Sequence, residues 1–205
     1  MKLIFSTSFF VFALSGCEGA RLQALDATML AVSDTVHEQR VSALSDLLSK
    51  STSNLLRDNL RALRKVYALA GSLPAPLKTQ WRTSLPKAAA SDTEDTTAFL
   101  EELITPILSS LTLSDGTRSG LLISEAECDS SSRCRVTTRS GQKFSLSKEN
   151  DQWRIHLFEQ QLQTQLETNR KSIRALELAI SRYDERQRIE AFIAQEKEKK
   201  TAPTR

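Results

Sequence analysis

The chain has 205 residues, 28 basic and 25 acidic side chains, a formal net charge of +3 and 40% apolar residues. That composition supports a buried core and excludes a chain that is disordered throughout. Charges of both signs are interspersed, with no dense cationic stripe to neutralise a phosphate backbone, so nucleic acid is not an expected partner. The length fits one domain plus an extended arm.

Met1-Lys2 is followed by an uncharged run from Leu3 to Leu14 and then by Leu14-Ser15-Gly16-Cys17. A spanning helix needs about 20 apolar residues to cross roughly 30 Å of hydrocarbon, so this run reads as a signal peptide over residues 1–16. Leu14, Ser15, Gly16 and Cys17 resemble the lipobox of bacterial lipoproteins. The resemblance implies cleavage before Cys17, a diacylglyceryl thioether on its sulfur and an acylated new N-terminus. Several acyl chains anchor stably, since each buried methylene adds roughly 0.8 kcal/mol. The implied location is the periplasmic side of the cell envelope. Glu18 stands where a retained inner-membrane lipoprotein carries aspartate, which points to the outer membrane. The mature chain then divides into a helical and sheet domain over 17–157 and a helical arm with a charged tail over 158–205.

Leu22, Leu25, Met29, Val32 and Val36 recur at three and four residues, and Val41, Leu44 and Leu48 continue the pattern after a skip. This predicts a helix broken or bent near Ser33-Asp34, with His37 near a helix start in a structural role. Leu56, Leu60, Leu63, Tyr67 and Ala70 predict a second helix, capped by Ser51-Thr52-Ser53 and stopped by Gly71. Pro74, Pro76 and Pro86 make residues 72–91 a packed connector with a short turn around Trp81. Ser91-Asp92-Thr93-Glu94 has capping-box spacing before an apolar stripe from Phe99 to Leu111, with a kink at Pro106.

From Leu121 the pattern turns short and alternating, with turns at Ser130, Ser140-Gly141 and Asn150-Asp151, predicting a four-stranded antiparallel meander. Val136, Phe144, Leu146, Trp153, Ile155 and Leu157 fit the inward face; Arg135, Lys143, Lys148 and Arg154 fit the solvated one. Cys128 and Cys134 flank a polar hairpin tip and are expected to be disulfide-bonded, with free thiols the alternative. A metal site is disfavoured, because His37 and His156 are distant in sequence and lack ligand spacing. The fold class expected is α+β.

Beyond Phe158 the chain predicts one helix without Gly or Pro to the high 190s, about 60 Å long. Leu162, Leu166, Asn169, Ile173, Leu176, Ile180 and Tyr183 keep four-three spacing, the mark of a helix that seeks another helix. The cover expected is the helix of residues 22–36, or a second copy of the chain. Asn169 at a core position sets register or marks the end of the covered stripe.

The run Phe144-Ser145-Leu146-Ser147-Lys148-Glu149-Asn150-Asp151-Gln152-Trp153-Arg154-Ile155 resembles the last strands of small NTF2-like lipoprotein domains. That resemblance, spanning about Val36 to Leu157, implies a conical pocket and no shared catalytic residues. The long C-terminal helix, the disulfide hairpin and the lack of a first strand between the helices depart from the family's pattern. No GxGxxG, phosphate-binding loop or metal spacing is present in the sequence; Glu125, Glu127 and Asp129 alternate as a solvated strand face, and His156 reads as a surface residue. The expectation is a noncatalytic, cofactor-free lipoprotein that binds an envelope protein or a second copy through Leu162, Leu166, Ile173, Leu176, Ile180 and Tyr183. The alternative is a carrier or sensor of a small ligand.

Overall fold

The computed structural model describes residues 9–38, 40–78, 96–102 and 120–201, with side chains from Glu18 to Lys197 within those ranges. Its elements are α1 (Phe9–His37), α2 (Val41–Ser45), α3 (Lys50–Ser72), α4 (Ala75–Lys78), β1 (Ile123–Ser130), β2 (Arg133–Thr138), β3 (Lys143–Glu149), β4 (Gln152–His156) and α5 (Glu159–Thr201). A further helical stretch covers 97–102. The fold is α+β: N-terminal helices, a four-stranded antiparallel sheet and a long C-terminal helix. Two compact units divide the chain, one of residues 1–56 with 95–159 and the other of 57–94 with 160–205.

In the first unit the sheet follows the order β1-β2-β3-β4, each neighbouring pair antiparallel. The β3–β4 turn is two residues, Asn150 and Asp151, with φ of 49° and 64°. Two successive left-handed residues match the right-handed twist of the strands, and Asn and Asp tolerate that conformation best after glycine. Gly141, at φ 80°, serves the β2–β3 turn. Register then places Cys134 opposite Leu146 and Leu146 opposite Ile155, and all three are buried. Val136 and Trp153 extend this apolar face, with Phe144 half-buried at its margin.

Helix α1 packs on β1 and β4, and its buried positions Leu25, Met29 and Val32 cover the apolar face. Residues 47–49 run parallel to β4: the Ile155 N–H donates to the Leu47 carbonyl and the Ser49 N–H to the Ile155 carbonyl, each at 2.9 Å. This short ribbon closes the free edge of β4, where unpaired backbone groups would otherwise be exposed.

Several expectations shift. Helix α1 runs unbroken through Ser33-Asp34; Thr35, buried within it, donates its hydroxyl back to the Ala31 carbonyl at 2.7 Å. His37 therefore closes a helix and does not open one. Leu22 is exposed, so the covered stripe begins at Leu25. Lys148 shares the parity of Leu146, yet it lies beyond the covered part of the face and is solvent-accessible. Trp81, Pro86, the 91–94 capping box and the segment from residue 103 with Pro106 lie outside the described residues. Phe99 and Leu100, at the start of that segment, are buried.

In the second unit α3 and α5 pack together. Val66, Leu73 and Leu176 form its buried cluster, with Leu69, Leu77, Ile173 and Ile180 packed against it. The cover for the α5 stripe in this unit is thus α3, where the sequence favoured residues 22–36. Tyr67, expected on the buried stripe of α3, is 52% exposed and Val66 takes its place. Helical periodicity alone centres Tyr67 on that stripe; the contact with Leu176 of α5 selects the neighbouring Val66 instead. Asn169 is buried and donates its amide to the Asn59 Oδ1 at 3.3 Å, while Asn59 donates to the Leu162 carbonyl at 2.8 Å.

These contacts set two expected outcomes. Asn59→Leu leaves the Asn169 amide unpaired in an apolar setting and costs about 1–3 kcal/mol, whereas Asn59→Leu with Asn169→Leu recovers most of it, read from urea unfolding. Leu176→Ala, at a fully buried site, costs about 2–5 kcal/mol in the same assay.

Candidate functional site

A helix begins with four backbone N–H groups that have no partner inside the helix. For α3 the partners come from elsewhere in the first unit. Ser49 is the capping residue, its Oγ accepting the Thr52 N–H at 3.1 Å, and the Glu149 carboxylate accepts the Lys50 N–H through both oxygens at 3.1 and 3.0 Å. Hydroxyl and carboxylate acceptors are the groups that a helix N-terminus favours, by hydrogen bonding and by its partial positive charge. The sequence placed the cap at Ser51-Thr52-Ser53; the parallel pairing of residues 47–49 with β4 moves it to Ser49.

The second carboxylate at this point is Glu159. Phe158 adopts φ 56°, a left-handed conformation that is strained for an aromatic residue, and it reverses the chain between β4 and α5. Glu159 consequently folds back on His156, with 2.8 Å between Oε1 and Nδ1. The same oxygen accepts the Thr52 hydroxyl at 3.0 Å, and Ser49 Oγ lies 3.2 Å from Nδ1. On the other side of the ring, His156 Nε2 is 2.9 Å from Ser147 Oγ, and the Ser147 hydroxyl donates to Glu149 Oε1 at 3.1 Å. Which ring nitrogen carries a hydrogen decides which way the Ser147 hydroxyl turns. With one on Nδ1 alone, the single Ser147 hydrogen must choose between Nε2 and Glu149.

Partial burial on its own raises the Glu159 pKa. Hydrogen bonds from His156, Ser51 and Thr52 and the attraction of His156 outweigh it, so the carboxyl lies below its ordinary value of 4.5.

In chemical terms Glu159, His156 and Ser147 stand in the order carboxylate, imidazole, hydroxyl, the contacts of an activated nucleophile. Two further contacts bear on that resemblance. Glu149 Oε1, 3.1 Å from the Ser147 hydroxyl, competes with His156 for its one hydrogen, and the Lys50 and Thr52 amides, which could face an oxyanion, are held by Glu149 and Ser49. The arrangement works as a clamp that joins β3, β4 and the first residue of α5 to the α3 N-terminus.

His156, expected on the surface, is thereby corrected: its side chain is only 20% exposed, because the α3 N-terminus and Glu159 cover that end of β4. Strand alternation identified which face His156 occupies but not what lies over it. The sole local sign of the cluster was the three-residue spacing of His156 and Glu159; Ser49 and Thr52 are more than a hundred residues away.

The other expected site residues are placed as follows. Cys128 and Cys134 sit directly opposite each other on β1 and β2 and are disulfide-bonded. Leu162, Leu166 and Leu176 are buried within the chain and Ile173, Ile180 and Tyr183 are half-buried, so the stripe assigned to an outside partner is largely taken up internally. Exposed apolar side chains lie further along α5, at Ile189, Phe192 and Ile193. Their i, i+3, i+4 spacing was present in the sequence, beyond the point where the four-three reading ended at Tyr183. Cys17 lies within α1, which runs on through the expected cleavage point. Glu125, Glu127 and Asp129 are exposed, with Glu127 opposite Arg135.

Among the described residues no cluster of three or more His, Cys, Asp or Glu is placed to hold a metal ion, and no helix is long and apolar enough to cross a membrane. No family model, curated protein or solved structure matches the chain.

The clamp gives two expected outcomes. A carboxyl with a lowered folded-state pKa stabilises the fold fully above its unfolded pKa and loses that contribution as pH falls through the folded value. Glu159→Gln therefore lowers the urea midpoint at neutral pH and shows a smaller loss than the parent as pH drops below 4.5. A fluorophosphonate probe, which reports an activated serine by mass, leaves Ser147 unlabelled as long as Glu149 is intact.

Proposed function

We propose that this chain is an exported lipoprotein, anchored through Cys17 on the periplasmic side of the cell envelope, probing for a partner with the far end of α5. The role is noncatalytic assembly: Cys17 holds the chain at the membrane, and the far end of α5 meets another envelope protein. The lipobox-like Leu14-Ser15-Gly16-Cys17 supports the anchor.

The observation that carries the assembly role is the mismatch between α5 and its cover. Helix α5 has 43 residues, about 65 Å at 1.5 Å per residue, against 23 residues in α3. The packed apolar positions end at Ile180, and beyond them Ile189, Phe192 and Ile193 are 53%, 64% and 47% exposed. Single exposed apolar residues are ordinary, but three on one helix face form a stripe suited to another helix. A disulfide at Cys128–Cys134 is consistent with an oxidising compartment.

Two measurements test the reading. Intact-protein mass spectrometry is expected to find the leader removed and acyl chains on residue 17; an unmodified Cys17 in a chain that keeps its leader overturns the anchor. A photo-crosslinker at Phe192 is expected to give one discrete adduct in intact envelopes, lost with Ile189→Asp and Ile193→Asp while urea stability stays within about 0.5 kcal/mol. An adduct with the mass of two chains assigns the face to self-association, and no adduct removes the assembly role.

A further inference from the structure

A cleft of about 380 Å³ lies within the first unit, between the part of α1 that follows Cys17 and the tips of two hairpins. Ala20 and Arg21 line it from α1, Ser131 from the β1–β2 turn, and Lys148, Asp151 and Trp153 from the β3–β4 hairpin. Neither the α3 clamp nor the distal face of α5 involves these residues.

Its chemistry suits an anion. Arg21 is half-buried and has no carboxylate partner among the described residues. Lys148 pairs with Asp151 at 3.0 Å, but the Asp151 side chain is 96% exposed, so water and other anions compete freely for the lysine. The lining therefore offers two cations against one loosely held carboxylate, with the Ser131 hydroxyl at its rim. A guanidinium presents paired donors in the geometry that phosphate oxygens accept. Trp153, 6% exposed, supplies the apolar wall of the same cleft and so reports on what enters it. Glu18 is exposed at this end of α1, so the feature is a compact two-cation seat and not a broad basic patch.

Position decides which anion. Arg21 follows Cys17 by four residues within one continuous helix, a rise of about 6 Å. The headgroup layer of one leaflet is itself roughly 5–8 Å deep. Acyl chains on Cys17 that enter the hydrocarbon thus hold Arg21 at the depth of the lipid phosphates, and the cleft brings Lys148 and Trp153 to Arg21. We propose that this cleft seats the phosphate of an anionic phospholipid headgroup, so that the first unit docks on the leaflet in a fixed orientation instead of swinging on its anchor. The proposal rests on the lipidated Cys17 of the preceding reading.

The test uses the purified lipidated protein carrying Trp81→Phe, so that Trp153 is the only indole, after its mass has confirmed the acyl chains. It is placed in phosphatidylcholine vesicles with or without phosphatidylglycerol, with brominated phosphatidylcholine as quencher. Docking predicts stronger quenching of Trp153 in the anionic vesicles. Arg21→Gln and Lys148→Gln each weaken the phosphatidylglycerol dependence, by about fivefold in the lipid concentration required. Equal quenching in both vesicle types, or an unchanged response in the double variant with an unaltered urea midpoint, overturns the headgroup seat and leaves the anchor standing. A Trp153 response to inorganic phosphate in detergent, with no further change on anionic vesicles, also overturns it, in favour of a soluble anion. Absence of acyl mass on Cys17 is a separate failure, that of the anchoring reading, and the seat falls with it.

Discussion

The N-terminus of α3 must find acceptors for its first amides, and the way it finds them organises the first unit. Ser49 serves as cap only because residues 47–49 hydrogen-bond along β4, and Glu149 reaches Lys50 only because the two-residue turn at Asn150-Asp151 ends β3 there. Glu159 joins them through the left-handed Phe158. An unpaired buried amide costs about 1–3 kcal/mol, so several such groups together weigh heavily against a net stability of only 5–15 kcal/mol. A strained aromatic backbone, costing of order 1–3 kcal/mol, persists here because the surrounding contacts fix it.

The clamp resembles a catalytic arrangement in its distances, and the contrast is instructive. Carboxylate, imidazole and hydroxyl in line are also what an N-terminal cap needs when its acceptors must themselves be held in place. The destination of the hydroxyl hydrogen separates the two uses. In this chain Glu149, which already carries the Lys50 amide, competes with His156 for it. Serine and histidine thus stand between the Glu149 and Glu159 carboxylates beside the start of α3.

The second unit follows a different logic. Its helices meet through leucines and valine, an interaction without direction, and Asn59 with Asn169 supplies the direction. A buried amide pair contributes little net stability, but displacing one helix by a turn leaves both amides unpaired in an apolar seam. The pair thereby fixes which turn of α3 faces which turn of α5, as a lone asparagine does in a coiled coil. Helix α5 is longer than α3, 43 residues against 23, so its last apolar residues, Ile189, Phe192 and Ile193, lie exposed among the described residues.

Much of this architecture follows from local rules that need no partner. Alternation and turn residues define the four strands and all three hairpins, since strand parity and the conformational tolerance of Gly, Asn and Asp are properties of a few adjacent residues. The absence of Gly and Pro after Phe158 defines α5 in the same way, and the short spacing of Cys128 and Cys134 marks a hairpin disulfide. What the sequence left open are contacts between distant segments: α3 as the cover of α5, Val66 in place of Tyr67, Ser49 as the cap, and His156 enclosed by Glu159 and Ser147. Each depends on which surfaces meet once the chain has folded, and periodicity reports that a face is apolar or polar without naming what it meets. The three-residue step from His156 to Glu159 and the hydroxyls near residue 50 were visible throughout; only the tertiary structure placed them within 3 Å or so of one another, because hydrogen bonding is decided by distance and angle.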